Sequence, residues 1–353
     1  MDFSYSFSAV KGVQANKEYY ITMVPLKYIS RILPEPTEYI PPEFRAQRRL
    51  NESRIPEMKT YILENRDTYI FSSLTASIDG KYHFEEIRKD SNMGMLHISM
   101  DAKILVNDGQ HRRAAIVQAL AEDSTLEDET ISIVFFEDKG LENSQQMFSD
   151  LNMNAQKSSN SINTCFETRD ELAVITKRIV ADIPFLCKYT DLEKDNLGKN
   201  SSKLFTLYNL YRVNKLILGK EEISDDSAGF LFEFWKQIVK NIPEWSELEK
   251  KEITKRELRE DYITTLGVTL LSFSRLGIFF KDESNENMEK YMSKLQEIDW
   301  SRSNPIWKNR MIGENGKIIN NREAMILTGN AIKKIIGIPL NQEEENKEKM
   351  VKK

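Results

Sequence analysis

The sequence predicts an α/β (α+β) domain with a mixed sheet, followed by an all-helical domain, and three observations carry that reading. Up to about residue 160, short β-type runs alternate with helical patterns, whereas beyond it apolar residues recur at three- and four-residue spacing. The polar stretch Ser158-Ser159-Asn160-Ser161 lies between the two patterns and has the composition of a hinge. A length of 353 residues suffices for two cores. The expected boundaries are 1–160 and 161–340, with 341–353 a charged, frayed tail.

In the first domain Glu18–Met23, Phe71–Ser77 and Ile131–Glu137 read as strands, with Tyr82–Phe84 continuing the second one after the Asp79-Gly80 turn. Leu96–Ser99 and Ile104–Val106 read as a strand pair joined near Met100–Lys103. Pro42–Asn51, Ile55–Asn65, Arg112–Glu122 and Leu141–Asn154 read as helices, and Pro56 suits the first turn of its own. In the second domain the helical spacing covers Arg169–Ala181, Lys203–Leu218, Ser227–Asn241, Lys255–Phe280 and Asn287–Glu297. Leu266–Phe280 is the most apolar stretch and reads as a core helix.

Composition excludes several classes. Charged residues at 30% and aromatics at 10% fit a folded chain rather than a disordered one. No window approaches 18 uncharged apolar residues, so no membrane span is expected. The first residues lack a basic segment followed by an apolar core, the mark of a secretory signal. Two cysteines, Cys165 and Cys187, point to a reducing, cytoplasmic compartment and to buried thiols. Three histidines form no His-x-x-x-His pair, and there is no Cys-x-x-Cys, so no structural zinc is expected and His83 and His97 read as ordinary strand residues.

A net charge of −5 argues against wholesale nonspecific nucleic-acid binding. The charge is nonetheless uneven. Arg45, Arg48, Arg49, Arg54 and Lys59 form one basic cluster. Arg302, Lys308, Arg310, Lys317, Arg322, Lys333 and Lys334 form another. Each is either a phosphate-contacting surface or a solvated face. Trp300 and Trp307 beside the second cluster suit base stacking, although at least one of them reads better as a core anchor for the last helices.

Lys103–Ala121 (KILVNDGQHRRAAIVQALA) is the most informative stretch. A β-type run meets the turn Asn107-Asp108-Gly109, and a helix opens on His111, Arg112 and Arg113. Gly109 permits a close backbone approach or positive φ, and a helix N-terminus attracts anions. Arginines in a first turn oppose the helix dipole, which suggests a phosphate partner. The alternative is an ordinary strand–turn–helix junction with solvated arginines. Asp108 is either a Mg²⁺ ligand accompanying a nucleotide or a turn-capping side chain, and His111 is placed to bond a phosphate or shuttle a proton. Ser161-Ile162-Asn163-Thr164 and the preceding Asn152, Asn154 and Lys157 form a second polar constellation, suited to phosphate or sugar contacts and equally explained as a solvated loop.

Asp108-Gly109-Gln110-His111-Arg112 resembles the motif of the DGQHR-domain family, found in DNA sulfur-modification proteins of the DndB type. Ala46–Gly80, Phe148–Ile162 and Asp299–Gly337 are similar to further DndB blocks, so the resemblance spans nearly the whole chain. It implies a transcriptional regulator, a repressor of a DNA phosphorothioation operon, with double-stranded promoter DNA as partner. A second copy of the chain and other sulfur-modification proteins are further candidate partners. DNA contacts would then fall to Arg45, Arg48, Arg49, Arg54, Arg302, Lys308, Arg310 and Lys317.

The strand–turn–Gly-x-x-Arg–helix order also resembles the ParB/sulfiredoxin-like fold, in which that turn holds nucleotide phosphates. Here the resemblance implies phosphate binding by Gly109, Gln110, His111, Arg112, Arg113, Asn152 and Lys157, with ATP or CTP and Mg²⁺ as the candidate cofactors. Gln110 stands where sulfiredoxin-type proteins have cysteine and ParB-type proteins an acid, so neither chemistry carries over intact. The alternative function is accordingly a nucleotide-hydrolysing enzyme or DNA nickase acting in DNA modification or phage defence, with Asp108 and His111 catalytic.

Overall fold

Alternation of small polar and apolar residues builds the sheet of the first part of the chain. The computed structural model describes residues 3–34, 50–138, 140–153, 158–198 and 201–351. Two compact units emerge, Met1–Gln156 and Lys157–Lys353, each with its own hydrophobic core.

In unit 1, β1 (Ser4–Gln14) buries Phe7 and Ala9 while Ser4, Ser6 and Ser8 face outward. This strand was not among those expected from the sequence. It is followed by β2 (Lys17–Pro25), β3 (Leu74–Asp79), β4 (Tyr82–Glu86), β5 (Met93–Ser99), β6 (Lys103–Asp108) and β7 (Thr130–Glu137). Among the described residues they form one seven-stranded sheet in the order β4-β5-β1-β2-β7-β3-β6. Its β3–β7 pair is parallel and the others antiparallel, so the expected mixed sheet is present.

The expected pairing of Leu96–Ser99 with Ile104–Val106 is wrong. β5 pairs with β1 and β4, and β6 pairs with β3. Met100–Ala102 bends the chain instead of reversing it, and Gly80–Lys81 bends β3 into β4 beside it. The two bends together make one long hairpin with Asp79 opposite Lys103 and Tyr82 opposite Ile98. A Cβ at Gly80, whose φ is +143°, would sit 2.8 Å from Ala102 Cα, so the bend needs glycine. Three peptide links, reaching about 11 Å at most, join the sixth strand of the order to the first. The sheet therefore curls until its ends approach.

Among the described residues, the α-helices of unit 1 are α1 (Ile29–Ile32), α2 (Ile55–Glu64), α3 (Gln110–Glu122) and α4 (Leu141–Met153). Pro56 occupies the first turn of α2, as expected. The helix expected over Pro42–Asn51 lies outside the described residues except at its end. α3 packs against α2 and buries Ile116 with Ala114, Ala115 and Ala119, whose small side chains let the helix sit close to its neighbours.

Unit 2 is mostly helical: α5 (Asn160–Phe166), α6 (Glu171–Asp182), α7 (Pro184–Tyr189), α8 (Leu207–Leu218), α9 (Asp225–Asn241), α10 (Pro243–Glu249), α11 (Lys255–Asp261), α12 (Gly267–Phe280), α13 (Asn285–Met292), α14 (Arg322–Ile336) and α15 (Gln342–Val351). It is not all-helical, because β8 (Thr190–Asp191) and β9 (Phe205–Thr206) form a small parallel pair. The single helix expected over Lys255–Phe280 is two. Ile263 N–H donates to the Trp300 carbonyl and Tyr262 bridges to Ser301, which takes the intervening backbone out of helical bonding.

Two polar segments carry more structure than expected. The expected hinge is a helix start: Ser159 accepts a hydrogen bond from Ile162 N–H, and Ser161 is buried. The expected frayed tail forms α15, where Glu344 and Glu348 are buried against partner cations. Both thiols were expected to be buried, but Cys187 is exposed and Cys165 half-buried. No described helix is long and apolar enough to cross a membrane.

Candidate functional site

The strand–turn–helix of residues 103–122 is tighter than its sequence suggests. β6 continues through Asp108, and Gly109 alone makes the turn, at φ +98° and ψ 18°. A Cβ there would collide with Leu74. α3 starts at Gln110 with no side chain capping it, and Arg113 N–H donates to the Gly109 carbonyl at 2.9 Å.

Arg112, expected to face a phosphate, turns inward along the approach to β3. Its Nη1 donates to the Ser72 carbonyl at 2.6 Å, to the Ser73 carbonyl at 2.9 Å and to Ser72 Oγ. Its Nη2 donates to Asp108 Oδ2 at 2.6 Å. Asp108 thus serves as the guanidinium's counter-ion. Arg113 is buried, and its Nε donates to the Leu33 carbonyl at 2.7 Å. His111 Nε2 accepts the Asn51 N–H at 3.0 Å, which fixes that nitrogen as the unprotonated one. Gln110 reaches toward the Val106 carbonyl at 3.5 Å.

Each arginine that opposes the helix dipole is therefore compensated by an oxygen of the fold. The pentapeptide ties together Asn51, Ser72–Ser73 and the end of β6, and the adjoining Arg113 adds Leu33. Asp108 and His111, the expected catalytic pair, serve separate bonds. Asn152 lies on α4, its side chain outside what is described, and Asn154 and Lys157 lie outside the described residues.

The basic clusters are only partly surface. Arg45, Arg48 and Arg49 lie outside the described residues, while Arg54, Lys308 and Lys317 are exposed. Arg302 is half-buried and donates to the Tyr262 carbonyl at 3.2 Å and to the Arg259 carbonyl, and burial lowers its pKa. Arg310 grips Glu348 with both terminal nitrogens. Both guanidiniums are thus bonded within the fold, each closing a packing contact between elements. Trp300 and Trp307 are both fully buried, stacked 5.8 Å apart and 10° from parallel, so neither offers a base a face.

Among the described residues, one group of side chains has metal-ligand geometry: His83, Glu85 and His97, on adjacent strands. It escaped sequence reasoning because its members are brought together by strand register rather than by spacing. The alternation of β4 and β5 could have placed them on a face, but not opposite one another.

The fold and this turn define a two-unit α/β protein in which a strand–glycine–helix junction organises the loops of the sheet-bearing unit. A family model for DndB, described as DNA-sulfur modification-associated, matches residues 7–339. The chain belongs to the DndB family, and membership implies involvement in DNA sulfur modification. No curated protein and no solved structure matches.

Proposed function

We propose that the chain is a DNA-binding transcriptional regulator that represses a DNA phosphorothioation operon. The observation that carries this reading is the DndB match across both units, taken with the inward bonding of Arg112. A guanidinium already committed to three oxygens of the fold and a carboxylate is poorly placed to neutralise a transferring phosphoryl group. Exposed Arg54, Lys308 and Lys317, with Arg45, Arg48 and Arg49, supply the phosphate contacts.

A second reading, nucleotide binding on a ParB-like scaffold, is favoured by the uncapped start of α3 after left-handed Gly109. Asp108, Gly109, Gln110, Asn152 and Lys157 would then face the phosphates and Mg²⁺.

Titration of labelled promoter duplex from the chain's own operon against a scrambled duplex separates the two. It is run at two salt concentrations, with and without ATP or CTP and Mg²⁺. The expected result is promoter preference independent of nucleotide. Lys308→Ala with Lys317→Ala should weaken binding to both duplexes and flatten the salt slope by about 2. Nucleotide turnover without promoter preference would instead move the function to the Gly109 turn.

A further inference from the structure

We propose that His83, Glu85 and His97 form a binding site for a divalent transition metal of the zinc class on the outer face of β4 and β5. The antiparallel register sets His83 directly opposite His97. Period-two alternation puts Glu85 on the same face, two residues beyond His83. The two imidazoles lie 4.6 Å apart, centroid to centroid, and 12° from parallel. One ligand atom from each of the three residues lies within 4.8 Å of the other two. Donors bonded to one zinc at about 2.0–2.2 Å must approach more closely than that. Glu85, 70% exposed, has the freedom to close the difference.

His97 carries the second observation. Its Nδ1 is bonded to Ser6 Oγ at 2.8 Å, which orients the ring. Its Nε2 is sealed from solvent and has no hydrogen-bond partner among the described residues, although Glu85 Oε2 stands 3.3 Å away. A polar ring nitrogen removed from water without a bond is costly, and an ion shared with Glu85 and His83 would satisfy it. A serine accepting from Nδ1–H would leave the Nε2 lone pair for the metal, as outer partners of ligating histidines do. Two imidazoles and one carboxylate suit zinc and its neighbours better than Mg²⁺ or Ca²⁺, which prefer oxygen. Three protein ligands leave one tetrahedral position open. The histidines border a groove shared with Lys81, Tyr82 and Ser99, so that position is reachable from solvent. The site is separate from the Gly109 turn and rests on neither functional reading.

The test uses the 353-residue chain after chelation. Co²⁺ is titrated with visible absorption as the readout, and Zn²⁺ by calorimetry. One ion per chain is expected, with affinity reduced at least about tenfold in His83→Ala and in Glu85→Gln. Both side chains are exposed, so the circular dichroism of these variants should match that of the parent. Ser6→Ala should weaken binding by about tenfold through the loss of ring orientation. Saturating Zn²⁺ should raise the Tm of the parent and not that of His83→Ala. The absence of stoichiometric binding overturns the site. So does binding that survives His83→Ala combined with His97→Ala, or that is abolished by Cys187→Ser.

Discussion

A guanidinium presents five N–H donors in a fixed plane, and that of Arg112 directs its donors at two backbone carbonyls, a serine hydroxyl and a carboxylate. Removing it would leave the carbonyls of Ser72 and Ser73 and the carboxylate of Asp108 without that partner. Arg112→Ala is therefore expected to destabilise the protein by about 3 kcal/mol in denaturant titrations. Arg112→Lys should recover little of this, since an ammonium cannot reproduce the fork. Equal stability of Arg112→Ala and parent would show that the guanidinium is free for a ligand after all. The sequence showed where this residue sits but not what it binds. Its position at a helix start is local information, whereas Ser72 and Ser73 lie some forty residues upstream and meet it only through the β3–β6 pairing. His83 and His97 repeat the lesson, since each reads as an ordinary strand residue until register sets them face to face.

At the scale of elements, periodicity identified most of unit 1 because a half-buried strand or helix writes its burial pattern into consecutive residues. β7 and α2 were found nearly in full for that reason. β1 was not, though Ser4–Ala9 alternates plainly. α15 departs from the frayed tail expected of its run of charges because its glutamates meet partner cations. Glu344 meets Arg275 and Lys333, and Glu348 meets Arg310 and Lys334. Burial pushes the Glu348 carboxyl up, but hydrogen bonds and charge from Arg310 and Lys334 outweigh it and hold the pKa at about 2. An unfolded glutamate titrates near about 4.3. The contribution of Glu348 to stability is thus complete above that value and lost as the pH falls toward 2. Amide exchange in α15 should accelerate across this window before that of α12 and α14. Protection of α15 that persists unchanged at pH 2 would show that the clamp does not hold the helix.

For the whole molecule, charge content and charge display are different quantities. The chain carries −5 overall, yet two of the cations in its second basic cluster, Arg310 and Lys334, are engaged by the Glu348 carboxylate of the last helix. Two cores were foreseeable from length and from the change of pattern near residue 160, and each unit has its own. Which cations remain displayed was not foreseeable, because that depends on the docking of α15. A chain ending at Leu340 would lose four glutamates and four lysines, Glu343, Glu344, Glu345 and Glu348 against Lys347, Lys349, Lys352 and Lys353, leaving its net charge unchanged. It would nevertheless unmask Arg275, Arg310, Lys333 and Lys334. Such a shortened chain should bind duplexes of any sequence more tightly and with a steeper salt dependence than the parent, in the same titration. The carboxylates of Glu344 and Glu348 thus act as built-in counter-ions, deciding which cations of unit 2 a partner can meet.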